Sequence, residues 1–391
     1  MTATIRPNES TGNSARLYMA LELSQKRWHL AFTIGVARRP RLRAVAARDL
    51  GALTQEVVAA NRRFGLAPDA PVVSCYEAGR DGFWLHRWLV GHGIENHVVD
   101  SSSIEVPRRQ RRAKTDRIDA EKLVALLVRA MSGERHVWRL VQVPSVAAED
   151  ARHWTRELDA WKGEQKRLTN RLRGLLATQG IAGRIPRTFG DDLALLRRAD
   201  TGDPLGEQLR ERLRREWEHL QFVRGQIRGL ERARRAYVDQ ARAEGSVAVI
   251  HHLTRLAGLA ETSATTLSLE MFGWRAFANR RQVGGFLGIT GTPYDSGERR
   301  RDQGISKAGN ARLRQLLIQL AWVWLRCQPE STLSRWYQQR FAGSPRQRRL
   351  GIVALARRLA IALWRYVTWG EVPEGAVLKP AVPGAPALRA S

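Results

Sequence analysis

The chain has 391 residues and carries 65 lysines and arginines against 38 aspartates and glutamates, a formal net charge of +27. This length allows two or three domains, and so positive a charge indicates a polyanionic partner such as nucleic acid. The two cysteines are too few for a disulfide framework or a zinc cluster. No apolar stretch of about 18 residues predicts a membrane span, and the N-terminus lacks a signal-peptide core. We therefore expect a cytoplasmic protein with no membrane partner.

Residues 1–143 predict a disordered tail followed by an α/β domain. Residues 1–16 are polar and show no hydrophobic pattern. Short apolar runs then predict strands, and amphipathic stretches predict helices at 53–64 and after Gly82. The predicted strands span residues 17–23, 28–34, 41–47, 71–77 and 94–99. This order of elements predicts a mixed sheet with covering helices in residues 17–143.

Two of these strands carry an acidic residue at or near their ends. Glu22 follows the apolar run 17–21, and Glu77 follows the run 72–76. Burying an unpaired acid is costly, so such a residue is usually held by a metal ion or a positive partner. Reactive side chains also gather at strand ends in sheets of this kind.

Two further acids, Asp116 and Asp119, begin a predicted helix whose leucines continue at helical spacing. Positions three apart lie on one helix face, so both carboxylates point into the same space. Asp116 would also suit a helix cap or first turn, which explains one acid better than two. Glu22, Glu77, Asp116 and Asp119 could thus form one oxygen-ligand site for Mg²⁺ or Mn²⁺. Because the surroundings are strongly basic, a phosphodiester is the expected substrate.

The segment that precedes this helix is rich in cations. It is either a solvated basic loop or, as we favour beside a metal site, a loop that contacts phosphate groups. Its predicted nucleic-acid-binding residues are Arg108, Arg109, Arg111, Arg112 and Lys114.

Residues 144–246 predict a helical arm. Two long arginine-rich stretches, 149–179 and 206–243, place leucines and tryptophans near coiled-coil spacing, and a break at 180–204 separates them. Two helices joined in this way form an antiparallel hairpin. Such an arm serves as a spacer or an oligomer contact, which predicts a homo-oligomer, either a dimer or a tetramer.

Residues 247–372 predict a mainly α-helical domain. Residues 253–264 are typical of two helices joined by a glycine-containing turn. A glycine- and arginine-rich loop with Ser296 then precedes a basic helix that runs to about Cys327, an arrangement typical of phosphate-handling loops. The predicted nucleic-acid-binding residues here are Arg299, Arg300, Arg301, Lys307, Arg312 and Arg314. Residues 373–391 are predicted to be a loose tail.

These motifs resemble one family in their order along the chain. Glu77 and the run 114–120 are similar to the N-terminal half of the insertion-sequence family 110 (116/902-type) transposases. The runs 288–297 and 305–314 are similar to the C-terminal transposase domain of the same family. The resemblance covers most of residues 17–370.

The resemblance implies an α/β ribonuclease H-like N-terminal domain of the Holliday-junction-resolvase type, followed by a C-terminal serine transposase domain. It implies a composite site in which four acids bind Mg²⁺ and Ser296 is the nucleophile, acting on donor and target DNA. It further implies a structured noncoding bridge RNA as the guide. The chain departs from the family in one acid, since the usual aspartate of the first strand is Glu22 here.

Two other functions remain open from the residues alone, and the family resemblance adds a third. A junction-resolving endonuclease that uses metal-activated water needs the four acids but not Ser296. A site-specific DNA invertase shares the family resemblance. In a non-catalytic DNA- or RNA-binding protein the acids would be structural, and Ser296 would be a turn hydroxyl in the Asp-Ser-Gly sequence.

Overall fold

A computed structural model describes residues 15–35, 38–79, 82–104, 116–134, 137–240, 245–296 and 299–380. It gives the backbone without the side chain for Ser102, Asp116, Arg117, Gln240, 293–296 and 299–303. The chain forms two compact units, Met1–Val143 and Pro144–Ser391. None of the helices in these described stretches is both long enough and apolar enough to cross a membrane.

The first unit contains a five-stranded mixed sheet. Its strands are β1 (Leu17–Glu22), β2 (Arg27–Thr33), β3 (Arg41–Ala46), β4 (Val72–Glu77) and β5 (Glu95–Val99). Their order in the sheet is β3-β2-β1-β4-β5. The first three strands pair antiparallel, whereas β4 pairs parallel with both β1 and β5. The predicted strands and the mixed sheet are confirmed.

Three helices cover the two faces of this sheet. They are α1 (Leu50–Phe64), α2 (Trp84–Gly91) and α3 (Asp116–Met131). Side chains alternate between faces along a strand. Leu21 and Tyr76 therefore share one core with α1 and α2, while Ala20 and Cys75 share another with α3. The sheet is a central layer between two helical layers.

The second unit begins with the predicted arm. Helices α4 (Val146–Ala177) and α6 (Glu207–Gln240) pack along a leucine-rich seam. Ion pairs join Lys162 to Glu231 at 3.0 Å and Arg171 to Glu216 at 2.8 Å, so the two helices run antiparallel. A short helix, α5 (Phe189–Asp192), lies in the connection. The helical hairpin is confirmed.

The rest of this unit is mainly helical, with one two-stranded hairpin. Its elements are α7 (Gly245–Thr254), α8 (Glu261–Leu267), α9 (Arg280–Leu287), β6 (Gly291–Ser296), β7 (Arg299–Ile305), α10 (Ala311–Cys327), α11 (Thr332–Phe341) and α12 (Pro345–Trp369). A π-helical turn, Ser268–Phe272, extends α8. The predicted helices on either side of residues 255–260 and the helix ending at Cys327 are confirmed.

Two features differ from the sequence-based predictions. The predicted loop around Ser296 is largely the β6–β7 hairpin, in which cross-strand pairing stabilises an arginine-rich run that has little strand character by itself. The predicted loose tail is fixed over part of its length. Gln328, which is 1% exposed, donates to the Val377 carbonyl at 2.9 Å and accepts from the Val377 amide at 2.7 Å. Lys379 Nζ also donates to the Leu259 carbonyl at 3.1 Å.

A buried carboxylate joins the arm to the helical domain within the second unit. Glu270, on the π-helical turn, is 2% exposed. It accepts from Arg156 Nε of α4 at 2.8 Å and from Arg312 Nη1 of α10 at 2.7 Å. Arg312 also donates to the Thr155 carbonyl at 2.6 Å and binds Asp159. Three elements that are distant in sequence therefore meet at one carboxylate.

We expect Glu270→Ala to lower the free energy of unfolding by about 1.5–3 kcal/mol, because it removes the charge-assisted hydrogen bonds that Arg156 and Arg312 donate to a buried carboxylate. The measurement is urea denaturation of the full chain. Glu211→Ala is the matched control, since the Glu211–Arg214 pair is half exposed on both sides and should contribute about 1 kcal/mol or less. Equal losses for the two variants would contradict a structural role for Glu270.

Candidate active site

Glu22 and Glu77 lie side by side at one edge of the sheet. They are the last residues of β1 and β4. These strands pair parallel with Leu21 opposite Tyr76, so the two acids follow at the next position of each strand. Both are half-buried, and both line one cavity of about 370 Å³. The structure thus brings together two acids that are 55 positions apart in the chain.

Both acids occupy the face of the sheet that α3 covers. Ala20 and Cys75 pack against α3, and Glu22 and Glu77 are each two positions further along their strands, which returns them to that face. The pKa of the Cys75 thiol is consistent with Glu77 lying close to it on this face. This pKa is raised by burial and, secondarily, by the negative charge of Glu77.

Helix α3 begins near the same edge of the sheet. Ala120 lines a second cavity together with His29, and His29 is the direct register partner of Glu22 in the β1–β2 pair. Asp119 is half-buried and immediately precedes Ala120. Asp116 is the first residue of the helix. Its side chain lies outside those that the structure describes.

The donor atoms available here suit a hard divalent cation. Carboxylate oxygens are preferred ligands of Mg²⁺ and Mn²⁺, and Mg²⁺ commonly keeps several waters, for which the Glu22–Glu77 cavity has room. Among the described side chains, no three His, Cys, Asp or Glu residues converge closely enough to hold a metal ion. The four-acid site therefore remains a prediction, with two acids in one cavity and a third on the adjoining helix.

The predicted phosphate-contacting loop, with Arg108, Arg109, Arg111, Arg112 and Lys114, lies outside the described residues. Its role also remains a prediction.

Ser296 is the last residue of β6, and the three predicted arginines are the first residues of β7. In the hairpin register, Ser296 lies opposite Arg299, Asp295 opposite Arg300 and Tyr294 opposite Arg301. The backbone pairing thus places an arginine-rich strand directly beside the strand that ends in the serine.

The base of this hairpin is held by a close backbone contact between two glycines. Gly288 has a positive φ of 64°, and a Cβ added at Gly309 would lie 2.6 Å from the Gly288 nitrogen, so neither position tolerates a side chain. The Lys307 amide donates to the Gly288 carbonyl at 3.0 Å, and the Asn310 amide donates to the Phe286 carbonyl at 2.8 Å. The motif Lys-Ala-Gly-Asn therefore has a structural function at this turn.

Two predicted nucleic-acid contacts are engaged inside the protein. Arg314 Nη1 donates to the Leu287 carbonyl at 2.9 Å, where it satisfies the end of α9. Arg312 belongs to the Glu270 network. Lys307, by contrast, lines a large cleft. Sequence reasoning missed five arginines that line this cleft with it, namely Arg280, Arg281, Arg357, Arg358 and Arg365. The sequence of α12, which contains six arginines and no acid, could have indicated a cationic surface here.

Comparison with known proteins matches this chain to one family model and to several relatives. The family model described as "Transposase IS116/IS110/IS902 family" matches residues 250–336. "Putative transposase y4rJ" of Sinorhizobium fredii is 40% identical over 97% of this chain and 99% of that protein.

More distant relatives carry related names. "Probable family 20 transposase" of Pseudomonas aeruginosa is 31% identical over 64% of this chain and 72% of its own length. "Transposase for insertion sequence element IS1111A" of Coxiella burnetii is 24% identical over 73% of this chain and 75% of its own length. With 40% identity to a transposase over nearly the full length of both proteins, the chain belongs to the IS116/IS110/IS902 family of transposases.

Proposed function

We propose that this transposase cuts and rejoins DNA to mobilise its insertion sequence, using a metal-binding site formed by Glu22, Glu77, Asp116 and Asp119 and a serine nucleophile, Ser296. The observation that carries the proposal is the position of Glu22 and Glu77 at the ends of two neighbouring parallel strands, in one cavity. A mixed sheet between helical layers is also compatible with the ribonuclease H-like fold that the sequence resemblance implies.

The acids would act on the scissile phosphate through bound Mg²⁺, which stabilises charge on the phosphate and the departing oxygen. Several carboxylates close together otherwise repel one another and raise each other's pKa, and they would also repel DNA. Their clustering therefore favours a role as cation ligands. Glu22 is one methylene longer than the aspartate usual in the family, so it reaches further from the same strand end.

Ser296 would form a bond from its Oγ to phosphorus while the bond from phosphorus to the departing sugar oxygen breaks and that oxygen takes up a proton. Arg299, Arg300 and Arg301 on the paired strand would balance charge on the phosphoryl group. Because the phosphodiester energy is kept in the serine–DNA linkage, reversing this step rejoins a strand without ATP.

A structured noncoding RNA encoded by the element is the proposed guide that pairs with donor and target DNA. The sequence resemblance implies such an RNA, and the net charge of +27 is compatible with binding a polynucleotide of this kind.

The arm formed by α4 and α6 is the proposed contact between protomers of a homo-oligomer. Phe222 on this arm is 55% exposed and forms an edge-on ring contact with Trp161, which gives the arm an apolar surface outside its seam. In an oligomer, the serine could reach the acids of the same chain or of another. Mixing two inactive proteins, Ser296→Ala and Asp119→Asn, separates these cases, because activity returns only if the serine acts in trans.

We expect Asp119→Asn and Glu77→Gln each to abolish strand cleavage while nucleic-acid binding persists. The amides keep the size of each side chain but remove the charge that binds the cation. The measurement is recombination between plasmid-borne element ends, with binding followed separately by gel shift.

Two control variants accompany this experiment. Glu121→Gln changes an exposed acid on the same helix and should retain activity. Glu22→Asp restores the residue usual in the family and should also remain active. Recombination near the wild-type level in Asp119→Asn would exclude the four-acid site.

We expect the wild-type protein to form a covalent adduct with a DNA strand and Ser296→Ala to form none. The reaction is stopped with detergent on labelled DNA, and the protein that remains attached is separated on a denaturing gel. Ser306→Ala is the matched control, because Ser306 lies just beyond β7 and should leave the adduct intact. Normal cleavage by Ser296→Ala, with no adduct from either protein, would favour the junction-resolving endonuclease that uses water.

A further inference from the structure

A large cleft in the second unit has a volume of about 1250 Å³. Its walls are α9, α11, α12 and the base of the β6–β7 hairpin. Gly291 and Gly304 of the hairpin face the cleft on one side. The cleft is distinct from the residues proposed to carry out the reaction.

The walls of this cleft are strongly positive. Helix α12 contains six arginines, α9 two and α11 two, and none of the three helices contains an acidic residue. The cationic residues that line the cleft are Arg280, Arg281, Lys307, Arg357, Arg358 and Arg365. Two acids, Glu371 and Glu374, also line the cleft. Among the described residues, only Arg365 of the six cations forms an ion pair with either acid, at 3.7 Å from Glu371. The remaining positive charge is available to a ligand.

Two of these cations occupy positions where a positive charge does not stabilise the fold. Arg280 and Arg281 occupy the first turn of α9, immediately after its cap Asn279, which accepts from the Arg281 amide at 3.0 Å. The N-terminus of a helix carries partial positive charge, so arginines in the first turn are unfavourable unless an anion is bound there. Their position favours a role in binding rather than in stability.

Apolar and aromatic side chains also line the cleft, and together they are called its apolar floor. They include Leu333, Trp336, Phe341, Val353 and Ile361. The Arg358 guanidinium lies 3.9 Å from the centre of the Trp336 ring, a contact that leaves its edge free to bind an anion. Burial and the nearby Arg340 lower the pKa of Arg358. A flat cation stacked on an indole, next to aliphatic side chains, forms a surface on which planar bases can lie.

We propose that this cleft binds an unpaired polynucleotide strand, with its phosphates on the arginines and its bases on the apolar floor. A duplex keeps its bases stacked inside and could not use this floor, whereas aromatic side chains beside cations are typical of sites for single strands. Gly291 of β6 lines the cleft and Ser296 ends the same strand, about 17 Å further along at the usual rise per residue. A strand held in the cleft would therefore have a short path to the serine.

The test uses the full chain in a Ser296→Ala background, so that binding is measured without any reaction. Arg280→Gln and Arg281→Gln are combined, and the affinity for a labelled unpaired 12-nucleotide strand is measured by fluorescence anisotropy over a range of salt concentrations. Removing two phosphate contacts should make the log–log salt slope less negative by about 1.4 and weaken binding about 25-fold at about 0.1 M salt. The midpoint temperature of thermal unfolding should be unchanged or slightly higher, because α9 loses two unfavourable charges.

A matched pair, Arg212→Gln with Arg326→Gln, removes the same charge from exposed positions on α6 and α10, which do not form the walls of the cleft. Its affinity should stay within about twofold of the parent protein, because distant surface charges are screened by salt. Photo-cross-linking of a thiothymidine-containing strand should label the peptide that contains Trp336. DNA and RNA strands of one sequence, together with the matching duplex, identify which polynucleotide binds best.

Several outcomes would overturn the proposal. One is an unchanged affinity and salt slope in the Arg280/Arg281 variant, and another is cross-linking confined to other parts of the chain. A third is a loss of duplex affinity in this variant as large as its loss of single-strand affinity. Displacement of the strand from the wild-type protein by an acidic peptide at equal concentration would point instead to a protein ligand. Because none of these measurements requires cleavage, they succeed or fail independently of the serine mechanism.

Discussion

The parallel pairing of β1 with β4 is the interaction on which the candidate active site depends. It places the last residues of the two strands side by side. Because side chains alternate along a strand, Glu22 and Glu77 then lie on the face covered by α3. A shift of one residue in this register would move one acid to the opposite face, among the side chains buried by α1 and α2. The two cores fix the register, because slippage would place large side chains such as Leu21 or Tyr76 where the small Ala20 and Cys75 fit against α3. The packing of the two cores thus determines the geometry of the acids.

The first unit could be predicted well from sequence because its signals are local. Apolar runs end at Glu22 and Glu77, and glycine follows the helix that begins after residue 82. The β6–β7 hairpin was not predicted, since the strand character of its arginine-rich half arises only from pairing with the other half. The fixed segment around Val377 depends on one buried amide, Gln328, about fifty positions earlier, which composition does not reveal.

The arginines of the second unit fall into two structural classes, and only the structure separates them. Arg312 and Arg314 bind carboxylates or carbonyl groups of the same chain. Arg280 and Arg357, in contrast, line the cleft without an acidic partner among the described residues. Neighbouring sequence does not distinguish the two classes, because the partner of Arg312 lies 42 positions away at Glu270 and that of Arg314 lies 27 positions away at Leu287. Net charge therefore overstates the cations that are available to nucleic acid.

The Glu270 network also anchors the arm through α4, so a small rotation there displaces the far end of the arm by a larger distance. Arg156 and Asp159 lie near the middle of α4, and about 18 further residues of that helix extend to its end, a distance of roughly 27 Å. A tilt of about ten degrees at this base would displace the end of the arm by roughly 5 Å, close to one helical turn. The Glu270 network, together with the Arg234–Glu261 ion pair at 3.1 Å, thus restrains the angle at which the distant segment 178–206 meets another molecule. Small changes at a buried position would be amplified into errors of alignment far from it.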